Sequence, residues 1–122
     1  MYNKVKRIAA VRLSSAEILK LLEPYPRWNY DGSKLTRNLS LRDFETTWSF
    51  LTQVAMRSHL WGHHPTITTC YNKVNVQLTT HDVGGVSDID MKLVSKIESY
   101  AAGREQDELV SKWPKKRGNY SE

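Results

Sequence analysis

The sequence predicts an α+β fold in which three helices pack on one face of a four-stranded antiparallel sheet. Segments with apolar residues at helical spacing enclose two pairs of short segments in which apolar and polar residues alternate. The resulting order is helix, strand, strand, helix, strand, strand, helix, which is typical of helices layered on an antiparallel sheet. The length of 122 residues indicates one domain.

The first helix is predicted to begin at Ser14, because Ser14 and Glu17 have the spacing of a capping box. Two prolines a few residues further on end this helix. In residues 27–41, side chains assigned to the two faces of a strand alternate before and after Asp31-Gly32, a dipeptide typical of tight turns. This pattern predicts a β-hairpin.

The second helix is predicted over residues 43–59, and Gly62 and Pro65 end it. Its apolar residues recur at steps of three or four and predict one buried stripe along the helix. The predicted stripe consists of Phe44, Trp48, Leu51, Ala55 and His59.

A second pair of strands is predicted over residues 67–81, with His81 on the polar face of the sheet. The third helix follows, because Ser87 and Asp90 again have the spacing of a capping box. Gly103 ends the third helix.

The distribution of charge divides the chain into three parts. Residues 1–12 form a basic arm with four basic and no acidic side chains, and residues 13–103 form a neutral domain with nine of each. Residues 104–122 lack periodicity, so we expect a loose tail whose removal leaves the fold and activity nearly intact. Because the net charge of +5 lies at the ends of the chain, we expect no direct binding of nucleic acid.

The composition also bears on the compartment. No apolar run approaches the roughly 20 residues that a membrane-spanning helix needs, so we expect no membrane association. Cys70 is the only cysteine, which excludes an internal disulfide, and the first residues lead into no apolar stretch typical of a secretory signal. We therefore expect a cytoplasmic protein.

All four histidines of the chain lie between positions 59 and 81, and two hypotheses about them involve no acid–base chemistry. They are incidental in the first, with His59 closing the buried stripe of its helix. In the second, His59 and His63 bind zinc, because their spacing places two imidazoles on one helical face. Gly62 interrupts that face and no acidic residue stands in the usual signature, so we expect no metal.

The third hypothesis is acid–base catalysis by His63, His64 and His81. Imidazole exchanges protons near neutral pH, and a loop that ends in Pro65 would hold the histidine pair rigidly. Two imidazoles that converge from different elements could protonate a leaving hydroxyl and accept a proton elsewhere on the same substrate.

The spacing of these residues resembles the signature of the pterin-4a-carbinolamine dehydratase family. The matching run is His59-x3-His63-His64-Pro65-x5-Tyr71-x9-His81-x8-Asp90. Other segments that match the family's wording are Trp28, Gly32-Ser33-Lys34-Leu35-Thr36-Arg37, Asp43-Phe44, Tyr71-Asn72-Lys73-Val74, Leu78-Thr79-Thr80-His81-Asp82 and Gly84-Gly85. The resemblance covers about residues 13–101.

The resemblance implies a reaction and a site. The family removes water from 4a-hydroxytetrahydropterin, which aromatic amino acid hydroxylases produce, and gives quinonoid dihydropterin without a metal or other cofactor. It implies acid–base roles for His63 and His81 and a pterin contact for His64. The implied substrate-binding residues are Gly62, His63, His64, Pro65, Thr79, Thr80, His81 and Asp82.

Four positions depart from the family's usual residues. His59 stands where glutamate is usual, Gly62 where an acidic or amide residue is frequent, and Thr66 and Ile67 where glutamate and tryptophan are common. These departures bear on substrate preference and turnover. Two further matches have a structural interpretation, since we expect Tyr71 to pack or orient its hydroxyl, and expect the acidic residue of the third helix to cap it.

The resemblance also implies partners. Members of the family form dimers and tetramers, so a homodimer or homotetramer is expected. Animal members also bind and stabilise a dimeric homeodomain transcription factor. The alternative function is therefore a protein-interaction module that acts as a transcriptional coactivator or dimerisation cofactor, in which case a nuclear location is expected as well.

Overall fold

The computed structural model describes residues 9–106 and confirms the predicted fold class. Three helices and a four-stranded antiparallel sheet occur in the predicted order. Their bounds are α1 Ser15–Leu21, β1 Asn29–Tyr30, β2 Leu35–Ser40, α2 Phe44–Leu60, β3 Thr66–Cys70, β4 Lys73–Leu78 and α3 Asp88–Ala101. None of the helices in this part of the chain combines the length and the apolar character that crossing a bilayer requires.

The strands lie side by side in the order β1-β2-β4-β3, and every neighbouring pair is antiparallel. Strands β2 and β4 form the centre of the sheet, with Leu35 opposite Leu78 and Leu39 opposite Val74. Because side chains alternate along a strand, these four leucine and valine side chains share one face, and all are buried. The other face carries the polar residues of both strands apart from Arg37, which is buried between Leu35 and Leu39, and β3 forms an edge of the sheet.

The core lies between the buried face of the sheet and the helices. Phe50 and Val54 of α2 and Leu93 and Ile97 of α3 have no exposed surface, and they pack in one cluster with the leucines of β2. This burial leaves the loops at the ends of α2 and β4 supported by packed elements on both sides.

The buried stripe predicted for α2 is wrong at four of its five positions. Phe44 and Trp48 are each 47% exposed, Ala55 and His59 are also exposed, and only Leu51 is buried. The face that packs on the core consists of Thr47, Phe50, Leu51, Val54 and Ser58.

Two local contacts explain how α2 is rotated. The Thr47 hydroxyl donates to the carbonyl of Asp43 at 2.7 Å, so this side chain is buried with its hydrogen bond already made. Phe44 stacks on Tyr71, with ring centroids 6.2 Å apart, and lies 6.4 Å from the ring of Trp48. These aromatic rings contact one another at the surface instead of entering the core.

The prediction that His81 projects from a strand is also wrong. Strand β4 ends at Leu78, and His81 begins a 3-10 turn that extends to Val83. The amide of Thr80 donates to the carbonyl of Gly85 at 2.9 Å and closes this loop. The His81 side chain is exposed at the start of the turn.

The two terminal segments pack on the domain at their inner ends. Residues 9–12 of the predicted arm lie beside the segment that precedes α3, and Arg12 and Ser87 form an antiparallel bridge. Residues 104–106 of the predicted tail also pack on the body, because Glu105 bridges to Leu41 and is 6% exposed. The expectation of a loose segment therefore does not hold for residues 104–106, while residues 1–8 and 107–122 lie outside the described part.

A buried ion-pair network ties the C-terminal segment to the sheet. Arg37 is 1% exposed, and its guanidinium lies 2.7 Å from a carboxylate oxygen of Glu98 and 2.7 Å from one of Glu105. Trp28 donates from its indole nitrogen to the Glu98 carboxylate at 2.8 Å. Burial alone would lower the pKa of Arg37, but the hydrogen bonds to Glu105 and Glu98 outweigh it and raise that pKa above its usual value.

Candidate active site

The end of α2 fixes the position of His63. Gly62 adopts the left-handed conformation with φ 65°, and its amide donates to the carbonyl of His59 at 3.0 Å. The amide of His63 donates to the carbonyl of Ser58, also at 3.0 Å. These two bonds form the C-terminal motif in which glycine reverses the chain, so the sequence prediction that Gly62 ends this helix is confirmed.

His63 pairs with a buried carboxylate. Its Nε2 atom lies 2.6 Å from Oδ1 of Asp90, and the two side chains are 12% and 0% exposed. The other carboxylate oxygen of Asp90 accepts from the hydroxyl of Thr80 at 2.8 Å and from the amide of Ser87 at 2.9 Å. Asp90 therefore caps α3, as predicted, and also orients His63.

The carboxylate determines which nitrogen of His63 can react. An ionised carboxylate only accepts hydrogen bonds, so the bond assigns the proton to Nε2 of the neutral imidazole. The remaining nitrogen, Nδ1, is then the atom that can exchange a proton with a ligand. An imidazole oriented by a buried carboxylate is an arrangement suited to general acid–base chemistry.

A cavity of about 420 Å³ lies beside this pair. Its volume falls within the range of sites for small molecules, about 300–1,000 Å³. Its lining residues are Ala9, Ala10, Trp61, Gly62, His63, Thr80, Asp82, Val83 and Ile89. The cavity thus joins the end of α2, the loop after β4, the start of α3 and the N-terminal segment.

Four of the predicted site residues line this cavity, namely Gly62, His63, Thr80 and Asp82. Asp82 makes at least one further interaction with the protein. The structure thus brings together residues of the histidine loop and of the loop after β4, which the sequence analysis placed in one site.

The other four predicted site residues are not among the lining residues. His64 is exposed, and its ring centroid lies 6.0 Å from that of His59. The Thr79 hydroxyl donates to the carbonyl of Ser33 in the β1–β2 loop at 2.9 Å. His81 is exposed between the lining residues at positions 80 and 82, and Pro65 is half-buried after the histidine pair.

The arrangement of the histidines bears on the zinc hypothesis. Helix α2 ends at Leu60, so His59 and His63 do not share a helical face. Within residues 9–106, no three histidine, cysteine or acidic side chains are grouped closely enough to hold a metal ion.

A second, larger cavity of about 560 Å³ is lined mainly by residues of β2, β3 and β4. Its lining residues are Arg27, Arg37, Asn38, Leu39, Ser40, Thr68, Cys70, Lys73, Val74, Asn75 and Glu105. None of these is a histidine, and Arg37 and Glu105 are already paired with each other. We therefore place the candidate active site in the smaller cavity.

Sequence reasoning missed three features of this site. It favoured helix capping for Asp90, and although the spaced motif that ends in this residue was a signal for a second role, it did not anticipate the pairing with His63. It gave no role to Trp61, which lines the cavity beside Gly62. It placed Ala9 and Ala10 in the basic arm, and no local pattern in the sequence signals their contact with the cavity.

Comparisons with known proteins bear on the family of the chain. The sequence profile of the family described as "Pterin 4 alpha carbinolamine dehydratase" matches residues 11–100. A protein of Saccharomyces cerevisiae described as a pterin-4-alpha-carbinolamine dehydratase is 44% identical, over 82% of this chain and 95% of its own length. A protein of a Synechococcus species with the same description is 37% identical, over 71% of this chain and 94% of its own.

A solved structure supports the same assignment. The crystal structure of a protein described as a transcriptional coactivator/pterin dehydratase from Brucella melitensis is similar with a TM-score of 0.72 and 33% identity. The similarity covers 75% of this chain and 100% of that one. Because the family profile spans most of the chain, and relatives of this identity cover most of its length, the chain belongs to the pterin-4-alpha-carbinolamine dehydratase family of hydro-lyases.

Proposed function

We propose that this protein dehydrates 4a-hydroxytetrahydropterin to quinonoid dihydropterin and water, in the recycling of tetrahydrobiopterin. The observation that carries the proposal is the pair of His63 and buried Asp90 beside a cavity of about 420 Å³, in a chain of this family. The proposal uses histidine acid–base catalysis and no metal or other cofactor.

The reaction requires two proton transfers. The 4a-hydroxyl leaves as water when an acid protonates it and the carbon–oxygen bond breaks. A base then removes the proton from the neighbouring ring nitrogen, which completes the carbon–nitrogen double bond. Each transfer by a positioned side chain contributes about 10²–10⁴-fold to the rate.

We assign one transfer to His63 and the other to His81. His63 has the orientation for it, because Asp90 holds Nε2 and leaves Nδ1 available. His81 stands between two residues that line the cavity, Thr80 and Asp82, on a loop closed by backbone hydrogen bonds. Its exposed side chain would act at the rim of the cavity, from a different element than His63 does.

The remaining predicted residues are assigned to binding. His64 follows His63 on the same loop and would contact the pterin from the exposed side. Gly62, Thr80 and Asp82 line the cavity directly, whereas Pro65 and Thr79 would contribute through the loops that they hold. The catalytic unit that we propose extends from residue 9 to residue 106, because both inner ends of the terminal segments pack on the domain.

A turnover assay of the purified protein tests the proposed function. The substrate is freshly generated 4a-hydroxytetrahydropterin, and the spontaneous dehydration measured without protein is subtracted from every rate. We expect a protein-dependent rate that is proportional to protein concentration and unchanged by a chelator. A rate equal to the spontaneous background at every concentration would reject the enzymatic function.

We further propose that the protein forms a homodimer or homotetramer in the cytoplasm. Strand β3 supports this, because it is an edge strand and four of its five residues are exposed. An edge strand with free backbone groups can pair with another copy of the same chain. Sedimentation of the full chain would give the number of subunits, and a monomer at micromolar concentration would contradict the proposal.

The second candidate function is a transcriptional coactivator or dimerisation cofactor. The observation that favours it is the description of the similar Brucella melitensis protein, which names both activities. If the protein is a coactivator, a transcription-factor partner should bind the His63→Ala variant as tightly as the wild type, because this binding does not need catalysis. If binding and turnover were lost together, the two activities would share one site.

A further inference from the structure

The N-terminal segment of the described chain, residues 9–13, is held against the segment that precedes α3. The amide of Leu13 donates to the carbonyl of Val86, and the amide of Asp88 donates to the carbonyl of Val11, both at 3.0 Å. The Asp88 carboxylate in turn accepts from the amide of Val11 at 2.9 Å. Three hydrogen bonds thus fix the backbone directly after the two alanines that reach the cavity.

The same segment is connected to the partner of His63. Arg12 forms an antiparallel bridge with Ser87, and its side chain lies so close to Gly85 that a Cβ there would be 3.1 Å from its Nε atom. The amide of Ser87 also donates to Asp90, which holds His63. The backbone that anchors the N-terminal segment therefore also anchors the catalytic pair.

Ala9 and Ala10 form one wall of the cavity that contains His63. Ala10 is half-buried, whereas Ala9 is exposed. Each contributes a single methyl group, so most of the space on this side stays free for a ligand. A larger side chain at position 10 would occupy part of the 420 Å³ and would remove it from the substrate.

We propose that Ala9 and Ala10, held in place by residues 11–13, form a size-selective wall of the substrate pocket, and that Ala10 determines how large a substituent on the pterin ring the enzyme accepts. The ligand class is a bicyclic pterin that carries an aliphatic or hydroxylated side chain. The inference rests on the proposed function, and it assigns specificity to two residues of the predicted basic arm, Ala9 and Ala10.

The test compares two substrates in the Ala10→Phe variant of the full chain. One 4a-hydroxytetrahydropterin carries a methyl group at carbon 6, and the other carries a dihydroxypropyl group at the same carbon. We expect kcat/KM to fall about tenfold more for the larger substrate, because one methylene in a closed pocket already changes selectivity by about 10-fold or more. The loss should appear in KM rather than kcat, since the wall does not contact the atoms that exchange protons.

Ala16→Phe is the matched control, because Ala16 is exposed in α1 and is not among the lining residues. This control should leave the ratio of the two substrates unchanged. If Ala10→Phe does not fold, Ala10→Leu makes the same comparison with a smaller side chain. Equal losses for both substrates, or no loss for either, would overturn the inference.

The experiment separates failure of this inference from failure of the proposed function. The wild-type rate is measured in the same assay and tests the function itself. If the wild type shows no turnover, dissociation constants of two unreactive 7,8-dihydropterins with the same substituents replace kcat/KM. A selective loss of binding in Ala10→Phe would then support the wall without the enzyme, and absence of pterin binding by the wild type would overturn both.

Discussion

At the scale of single residues, the two oxygens of one carboxylate serve two purposes. Oδ2 of Asp90 accepts hydrogen bonds from the Ser87 amide and the Thr80 hydroxyl. The first bond caps the start of α3, and the second holds the loop after β4 against that helix. Oδ1 is left for Nε2 of His63 at 2.6 Å. The carboxylate is fully buried, so its energy is favourable only while these hydrogen bonds are present.

The change Asp90→Asn tests this double role. An amide can still accept hydrogen bonds through its oxygen, but it no longer offers a charged acceptor to the imidazole. We expect kcat for dehydration to fall by about 10²-fold with a smaller change in KM, since His63 loses its orientation and its charged partner. In the double variant with His63→Ala, the two losses should not multiply, because both changes remove the same function. Steady-state kinetics on folded protein measures this.

The control for Asp90→Asn is Ser87→Ala. This variant loses the Ser87 hydroxyl, which lies 2.7 Å from that of Thr80 and makes a long bond of 3.5 Å to Oδ2 of Asp90, but it keeps the backbone amide that donates to Asp90 at 2.9 Å. Its melting temperature should fall while kcat changes little. A kcat for Asp90→Asn equal to that of the wild type would mean that the carboxylate only caps α3 and has no role in catalysis.

At the scale of secondary structure, the ends of the helices could be predicted, but the end of β4 and the rotation of α2 could not. Capping residues act within four positions, so Ser14 and Gly62 identify the start of one helix and the end of another from the sequence. The buried face depends on distant contacts instead. Phe44 is apolar but stacks on Tyr71 at the surface, whereas polar Thr47 is buried because it bonds to its own helix.

The cap of α2 predicts a dependence of stability on pH. The Asp43 carboxylate accepts from the Thr46 amide at 2.7 Å, and hydrogen bonds to Thr46 hold the pKa of Asp43 below its usual value. A lowered pKa contributes stability above the ordinary carboxyl pKa of 3.8, and this contribution is lost as the pH falls through the folded value. We therefore expect Asp43→Ala to have a lower melting temperature than the wild type at pH 7. This difference in melting temperature should shrink as the pH falls below 3.8.

Asp43→Asn is the matched control, because asparagine caps helices as well as aspartate but has no charge to lose. The difference in melting temperature between Asp43→Asn and Asp43→Ala should stay nearly constant over the same pH range. Thermal melts at several pH values measure both differences. A gap between wild type and Asp43→Ala that widens as the pH falls would contradict the assigned cap.

At the scale of the whole molecule, the strand order and the site depend on contacts that no local pattern encodes. His63 and Asp90 are 27 positions apart, and Arg37 is 61 positions from Glu98 and 68 from Glu105. The spaced motif placed His63 in the site because it resembles that of a family. Arg37 lies on the same face of β2 as buried Leu35 and Leu39, and the sequence near it gave no sign of the acidic partners that make this burial tolerable.

The Arg37 network predicts where the chain can be shortened. A chain that ends at Gln106 retains Glu105 and should have the same melting temperature as the full chain. A chain that ends at Gly103 loses Glu105, and the buried guanidinium keeps the Glu98 carboxylate and the Asn38 carbonyl as acceptors. We expect this second chain to lose about 3 kcal/mol of unfolding free energy, which is the lower end for removing one partner of a buried ion pair. Chemical denaturation of the two shortened chains gives the difference.

The variant Glu105→Gln in the chain that ends at Gln106 separates charge from backbone. It keeps the bridge between Leu41 and residue 105 and removes only the carboxylate charge. Its free energy of unfolding should fall by part of the amount that the chain ending at Gly103 loses. Equal stability of all three chains would mean that the C-terminal segment, as the sequence suggested, is dispensable from residue 104 onward.

The rate of dehydration by His63→Ala and His81→Ala tests the central claim most directly. The measurement is single-turnover dehydration of freshly generated 4a-hydroxytetrahydropterin, with the spontaneous rate subtracted and the fold confirmed by thermal melting. His59→Ala is the control, because His59 is exposed on α2 and does not line the cavity. We expect each of the two catalytic variants to lose about 10²–10⁴-fold, and the control to keep nearly the full rate. Near-normal rates in both His63→Ala and His81→Ala would contradict the mechanism and favour the function as an interaction module.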